Sequence, residues 1–391
     1  MFETAGALVA FSSAANAGIT IPAGDWTVDI GGNVNAFYTH TSGSAVAQNT
    51  NSVQTGLLPA ALGIGAKTRQ NDLDVAFQFS LFTGVNASSS DNLHNSGSAA
   101  VSNGGLGYNS LNIRQAFMSV GDASWGTVKF GRDLGTFGSD AILSDMTLLG
   151  VGSGGTGNGG SSTLGRIGSG YLYADWVAQI QYQTPNWNGF QAQGAVREGL
   201  GQLDNSNMGF DGKVSYSFAA DDVTGKVWVG GITQKIQNTS VAVGSTVTQA
   251  SIAERTAEAW EIGAKAAYQG AELVGYYYAG KNMDSGIGTF IASTYSAQAA
   301  DNKDHDNSGG YVQATYKLPT IGTKIGASWG TSIIKNTGAT DAEREAWIIG
   351  AYHPLTKSVN LVAEYNHLET TSSANAQATA KTVSLGAIMF F

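Results

Sequence analysis

The sequence predicts an all-β protein, a transmembrane antiparallel β-barrel, and three observations support this prediction. Charged residues make up 13% of the chain, against about 25% in ordinary globular proteins. Segments of roughly ten residues alternate apolar and polar side chains, as in a strand with one face in lipid and the other in a polar lumen. No run approaches the roughly 18 consecutive apolar residues of a transmembrane helix, so strands must do the crossing.

The composition excludes several other classes of protein. The chain has 391 residues with 53 Gly and 5 Pro, but its 15 Tyr, 15 Phe and 8 Trp are unlike a fibrous or disordered Gly-rich chain. Its net charge is −9 and no basic run is present, so no nucleic-acid partner is expected. The absence of cysteine excludes a disulfide framework, thiolate zinc sites and a thiol nucleophile. No cofactor is expected.

The first residues resemble a processing segment. A short apolar stretch at residues 7–11 is followed by Ala15-Asn16-Ala17, an A-x-A cleavage pattern. Residues 1–17 contain no Lys or Arg, so the usual basic start of a signal peptide is missing. We expect residues 1–17 to be the remnant of a signal peptide and residues 18–391 to form the barrel. An ordered N-terminal arm remains the alternative.

From Asp25 onward the chain shows sixteen segments with a period of two. An even count lets the first and last strands pair antiparallel, which leaves no sheet edge in lipid. The register of the segment from Lys226 to Lys235 is ambiguous because both of its faces are partly apolar. The clearest segments begin at Trp26, Leu62, Leu73, Leu111, Trp176, Val214, Trp260, Val312, Val359 and Val383.

Short and long connections alternate strictly along the chain. This asymmetry is typical of outer-membrane barrels, which have short periplasmic turns and long external loops. The short connections follow Arg69, Gly121, Pro185, Ala219, Gln269, Pro319 and Pro354. The long ones cover 41–56, 84–109, 133–170, 199–207, 237–256, 283–307, 336–343 and 371–380.

The connection at 133–170 is the most informative. It is rich in Gly and Ser, and it combines acidic residues such as Asp140 and Asp145 with an apolar patch at residues 146–149. A loop this long in a compact domain usually has a function. We expect it to fold back against the barrel wall and present a few charges to the lumen.

Five stretches carry a resemblance to a known family. They are NIRQAF at 112–117, WGTVKFGR at 125–132, GSDAILSDM at 138–146, QYQTPNWNGF at 181–190 and the final Phe391. Together they resemble the Gram-negative general-diffusion porins, the trimeric kind with sixteen strands. The resemblance implies a homotrimer in the outer membrane, in contact with lipid and lipopolysaccharide. It also implies passive diffusion of small hydrophilic solutes and ions, with the third loop (133–170) narrowing the lumen.

In such porins, basic residues of the wall face acidic residues of the third loop. By position within the motifs, Arg114 and Arg132 match wall arginines, Arg166 matches more loosely, and Asp145 matches the loop acid. The full predicted constriction set is Arg114, Arg132, Arg166, Asp140, Asp145, Lys67 and Arg69. The resemblance places Asp145 across the pore from Arg114.

The chain departs from the family pattern at two places. Ala61 stands where relatives often have an arginine, and Leu148-Leu149-Gly150 stands where some have a second acid. Because the loop then carries less charge than the wall, a mild preference for anions is expected.

The sequence is also compatible with other functions. A solute-specific channel for a sugar or an anion is the main alternative, although most aromatic residues follow the outward parity, which disfavours a sugar pathway. A surface adhesin is a second alternative. No enzyme is expected, because none of the five histidines lies in a recognisable nucleophile setting. The acidic residues Asp301, Asp304 and Asp306 lack the spacing of a calcium loop, so no metal is expected.

Overall fold

The structure is a computed structural model that describes residues 18–46, 48–85, 111–153, 162–199, 207–236, 239–243, 246–250, 255–283, 304–335, 341–372 and 374–391. The predicted signal segment, residues 1–17, lies outside these residues.

Within the described residues, no helix is both long enough and apolar enough to cross a membrane.

The described residues form mainly strands, with two short helical segments in the third loop. The helix α1 is Ser139–Leu143, and a 3₁₀ helix covers Met146–Leu149. The strands are β1 (Ile19–Ala23), β2 (Trp26–Ser42), β3 (Thr50–Gln54), β4 (Ala60–Gln70), β5 (Leu73–Thr83), β6 (Asn112–Asp122), β7 (Gly126–Leu134), β8 (Trp176–Gln183), β9 (Phe190–Arg197), β10 (Gly209–Ala220), β11 (Val223–Ile236), β12 (Thr239–Val243), β13 (Thr246–Ala250), β14 (Arg255–Tyr268), β15 (Ala271–Lys281), β16 (Asp306–Lys317), β17 (Lys324–Ile334), β18 (Ala342–Pro354), β19 (Val359–Thr371) and β20 (Gln377–Phe390).

The strands close into an antiparallel barrel of sixteen strands, which confirms the predicted fold class. Each long strand pairs with its neighbour in the chain, and β2 pairs with β20 from Asn33↔Phe390 to Ser42↔Lys381 to close the ring. The short strands β1 and β3 pair with opposite ends of β2, and β12 and β13 form a separate hairpin. Closure gives the backbone of every strand in the ring two neighbours, as lipid requires.

The two faces of the wall differ as the alternation predicts. Phe79 is 52% exposed and its neighbour Gln78 is 4% exposed; the corresponding values for Leu385 and Ser384 are 53% and 1%. The exposed face is therefore the apolar outer surface, and the buried polar face looks into the lumen. This pattern positions the loop, because only inward side chains can contact it.

Strand β6 departs from the predicted alternation at Arg114. Its pairing with β5 shifts between Ser80↔Gln115 and Leu81↔Ile113, so Arg114 is an extra residue in a β-bulge. A bulge changes which face the following residues occupy. Phe117 is accordingly buried on the inner face, whereas uninterrupted alternation would place it on the outer face with Ile113.

We predict that Ala264→Arg lowers the free energy of unfolding by about 2–4 kcal/mol, because Ala264 is exposed on the outer face of β14 and the arginine would have to enter lipid. Ala267→Arg is the matched control, since Ala267 is on the inner face opposite Glu272. Folding titrations in lipid vesicles measure both. Equal destabilisation by the two changes would contradict the assignment of faces in β14.

Gly263 is not a suitable control for this comparison. It lies on the inner face, but a Cβ there would be 2.0 Å from the Trp228 indole. Its substitution would therefore report on packing inside the barrel and not on exposure to lipid.

Candidate functional site: the third loop and the lumen wall

The third loop has its own local structure before it contacts the wall. Gly138 begins α1 with φ 77°, a left-handed conformation that favours glycine. Asp145 begins the 3₁₀ helix, and its side chain accepts a hydrogen bond from Thr147 N at 2.9 Å. Aspartate is a preferred residue at this position because its carboxylate satisfies a free amide.

Inward carboxylates of the wall hold the first part of the loop. Glu261 of β14 accepts from Gly138 N at 2.8 Å, and Asp211 of β10 accepts from Thr136 N at 3.1 Å. Arg197 of β9 lies 3.5 Å from the same Asp211 oxygen. A buried backbone amide needs an acceptor, and these carboxylates supply one where the loop has no strand partner.

A third carboxylate holds the middle of the loop. Glu364 of β19 is buried, and one of its oxygens accepts from Val151 N at 2.8 Å and from Gly152 N at 2.7 Å. Its other oxygen accepts from the Tyr352 hydroxyl at 2.6 Å. The loop is thus fixed on the side of the barrel opposite its own strands β7 and β8.

Gln313 of β16 joins the two helical segments of the loop to the wall. Its side-chain amide donates to Ser144 O at 2.9 Å and its carbonyl accepts from Met146 N at 2.8 Å. No sequence motif marks Gln313, Glu261 or Glu364. The only signal for them is a polar residue at an inward position.

Asp140 is the loop acid that contacts basic residues of the wall. Its two oxygens lie 2.5 Å from Lys213 Nζ of β10 and 2.5 Å from Lys226 Nζ of β11. Burial by itself would raise the pKa of Asp140, but the two ammonium groups outweigh it and lower that pKa. Asp140 is therefore an ionised carboxylate at neutral pH, shared by two lysines.

Asp145 does not point at Arg114 across the lumen. It is buried, and besides Thr147 N it accepts from the Tyr171 hydroxyl at 2.7 Å and from Arg166 N at 3.3 Å. Burial, followed by the charge of Asp145, raises the pKa of Tyr171 well above its usual value. Asp145 thus stabilises the loop internally.

Arg114 is buried in a different environment. Its guanidinium lies 4.8 Å from the ring centroid of Phe82 and 6.0 Å from that of Trp176, within cation–π range for both. Arg114 and Asp145 therefore have separate partners. A motif match gives the position of each residue in the chain but not the partners that its side chain contacts.

Arg166 ties the returning part of the loop to the wall. It is fully buried, and it donates to Ser328 Oγ of β17 at 2.5 Å and to Ala346 O of β18 at 3.1 Å. Burial lowers its pKa, although Asp145 opposes that effect.

Arg132, Lys67 and Arg69 lie away from the loop. Arg132 shares the outward face with its cross-strand partners Ala116 and Ala178, and its guanidinium lies 3.5 Å from Glu198. Lys67 pairs with Asp29 at 3.2 Å. Arg69 pairs with Asp74 and Asp122, each at 2.9 Å, beside the short turn that follows β4.

A row of inward lysines was not predicted from the sequence. We call it the basic row: Lys213, Lys226, Lys265, Lys317 and Lys324, on the inner face of β10, β11, β14, β16 and β17. Two pairs are directly opposite in register, Lys226↔Lys265 and Lys317↔Lys324. The alternation of inward and outward residues is sufficient to place these lysines on the inner face. They were not predicted because the register of β11 is ambiguous in the sequence and because the family motifs contain arginines in other strands.

An aromatic cluster also faces inward from the same side of the barrel. Trp228, Tyr276, Tyr278 and Tyr311 are all buried. The Tyr311 hydroxyl donates to Ala141 O of α1 at 2.8 Å. These rings pack in one buried cluster with Phe137, Ala141 and Ile142 of the loop, so they are not open to the lumen.

A closed barrel with an apolar outer belt, a polar inner face and a loop held inside it defines an outer-membrane channel. A family model described as Gram-negative porin matches residues 4–373. The chain belongs to this family. It is a channel of the outer membrane of Gram-negative bacteria, through which small hydrophilic solutes and ions diffuse passively.

Solved structures with the same fold cover nearly the whole chain. OmpT of Vibrio cholerae is 17% identical, with a TM-score of 0.63 over 95% of this chain and 100% of that one. An anion-selective porin from Comamonas acidovorans is 16% identical, with a TM-score of 0.60 over 94% of this chain and 100% of that one. The outer membrane channel DcaP of Acinetobacter baumannii is 15% identical, with a TM-score of 0.64 over 96% of this chain and 100% of that one. No curated protein matches the sequence.

We predict that Gly150→Ala loosens the loop. A Cβ at Gly150 would lie 2.0 Å from Glu364 Oε1. The carboxylate must then move away from Val151 N and Gly152 N, at about 1–3 kcal/mol for each buried amide left without a partner. Single-channel recordings should show larger and noisier open currents.

Gly194→Ala is the control for this change, because no atom lies within 4 Å of a Cβ at that position. Traces of Gly150→Ala that match both the native chain and this control would show that Glu364 does not hold the loop.

Proposed function

We propose that this channel prefers anions, and that the contact of Asp140 with the basic row governs the preference. The observation behind this proposal is the balance of charge on the inner face. Asp140 is shared by two lysines and Asp145 is buried among its hydrogen-bond donors. Lys226 and Lys265 keep about a third of their side-chain surface exposed.

The electrostatics of a narrow lumen favour this proposal. Low-dielectric walls focus the field of the charges that line them, so a small excess of ammonium groups acts strongly on passing ions. The overall charge of −9 does not oppose it, because charges beyond a Debye length of about 8 Å are screened at physiological salt. Of the predicted constriction set, Asp140 is the member that we assign to selectivity; Arg114, Arg166 and Asp145 have structural roles in this proposal.

We further propose that the channel works as a homotrimer that contacts lipid and lipopolysaccharide, and that it has no enzymatic activity. A similar structure, OmpT of Vibrio cholerae, is described in a trimer form. The apolar outer face described above supports the contact with lipid. Sedimentation equilibrium of the detergent-solubilised protein should give three copies per particle, and a single copy would overturn the trimer.

Asp140→Asn should move the reversal potential in a KCl gradient toward the value for anions. The substitution keeps the shape of the side chain but removes the charge shared by Lys213 and Lys226, so the wall becomes more positive. Asp29→Asn is the control, because Asp29 pairs with Lys67 on the opposite wall, away from the basic row, and it should shift the potential less. An unchanged potential, or a shift toward cations, would contradict the proposal.

The pH dependence of this difference follows from the lowered pKa of Asp140. A carboxyl group whose pKa is lowered in the folded state is charged, and keeps its stabilising contact, at any pH above its ordinary pKa. It loses both as the pH falls through the lowered pKa of the folded state. The reversal potentials of the native chain and of Asp140→Asn should therefore show their full difference at neutral pH. They should converge only below the ordinary titration range of aspartate, as measured by reversal potentials across a pH series.

A further inference from the structure

The cross-strand pair Lys226↔Lys265 is an unusual element of the lumen wall. The two residues are directly opposite on the inner face of β11 and β14, and directly opposite residues of antiparallel strands have Cα atoms about 4.5–5.5 Å apart. Like charges at such positions destabilise a sheet. An arrangement of this kind needs a negative charge close to both ammonium groups.

The protein supplies one carboxylate to each lysine, from opposite sides. Asp140 of the loop contacts Lys226 at 2.5 Å, and Glu272 of β15 contacts Lys265 at 3.0 Å. Each ammonium group has three N–H donors, so each retains donors after its own ion pair. The side chains of Lys226 and Lys265 are 34% and 38% exposed, so these donors are accessible from the lumen.

The lysines next to Lys226 and Lys265 extend the positively charged region of the wall. Lys213 shares Asp140 with Lys226. On the same face, Lys324 lies opposite Lys317, and its ammonium is 5.2 Å from the ring centroid of Tyr352. A negative ion between Lys226 and Lys265 would therefore meet further positive charge along the row.

We propose that Lys226 and Lys265 form a binding subsite for small doubly charged anions, either a compact oxyanion such as sulfate or a short dicarboxylate. A dianion satisfies both ammonium groups at once, whereas a monovalent ion such as chloride neutralises only one. This inference rests on the proposed anion preference and adds a substrate class to it. Because Asp140 and Glu272 compete for the same donors, binding is weak enough for release, which transport requires.

The test uses the full-length protein in planar bilayers with a constant KCl background. Sulfate and succinate are titrated separately, with acetate as the monovalent reference, and the chloride current is measured. Sulfate, succinate or both should reduce the chloride current along a saturation curve, whereas acetate should not. Saturation by sulfate alone identifies a compact oxyanion site, and saturation by succinate alone identifies a dicarboxylate site.

The double variant Lys226→Gln/Lys265→Gln should raise the half-saturating concentration at least tenfold. Lys67→Gln is the matched control, because Lys67 is an inward lysine whose cross-strand partners, Thr27 and Ala76, are uncharged. It should leave the curve unchanged. The same half-saturating concentration in the double variant and the native chain would overturn the subsite.

Glu272→Gln keeps the inference testable if the double variant does not fold. It removes the carboxylate that competes for Lys265, so the half-saturating concentration should fall severalfold, a gain that misfolding cannot produce. A rise in that concentration would overturn the proposal. Linear currents without saturation, together with reversal potentials that still favour anions, would reject the subsite and leave the anion preference intact. Reversal potentials that favour cations would reject both.

Discussion

Closure of the β-sheet is the constraint on which the rest of the structure depends. Backbone amides and carbonyls have no water to bind in the hydrocarbon layer, so a sheet that crosses it can have no open edge. Here β2 and β20 provide the final pairing. The last residue takes part, since Phe391 N donates to Gly32 O at 3.1 Å and Gly32 N donates to Phe391 O at 2.9 Å. The ring thus defines an outside and an inside, and every later feature depends on that division.

The loop inside the lumen faces the same requirement in another form. Its backbone is buried but has no regular strand partner, so its amides need acceptors from side chains. Glu261, Asp211 and Glu364 of the wall provide them. Burying carboxylates is costly unless each is well hydrogen-bonded, and here the loop amides supply those bonds. Loop and wall therefore stabilise each other, and the position of the charged residues follows from this arrangement.

Some of the predicted site residues lie where they were expected and others do not, and each difference has a physical reason. Asp140 was predicted in the loop, and it contacts the wall, but through lysines that no motif indicated. Arg114 was predicted on the wall and is there, but its guanidinium lies against Phe82 and Trp176 and not opposite Asp145. Arg132 follows the strict alternation of β7 to the outer face. A motif gives the position of a residue in the chain, whereas its direction depends on the local register.

The sequence by itself determined the class, the sixteen strands, the alternation of short and long connections and the presence of a long third loop. These features depend on a period of two in hydrophobicity and on the spacing of turns, both of which are local properties of the chain. Only the tertiary structure decided which charges meet. The contact of Asp140 with Lys213 and Lys226 joins residues that are 73 and 86 positions apart, and the pairing of Lys226 with Lys265 depends on the register between two strands. Such contacts arise from closing the barrel and burying the loop, which no local pattern records.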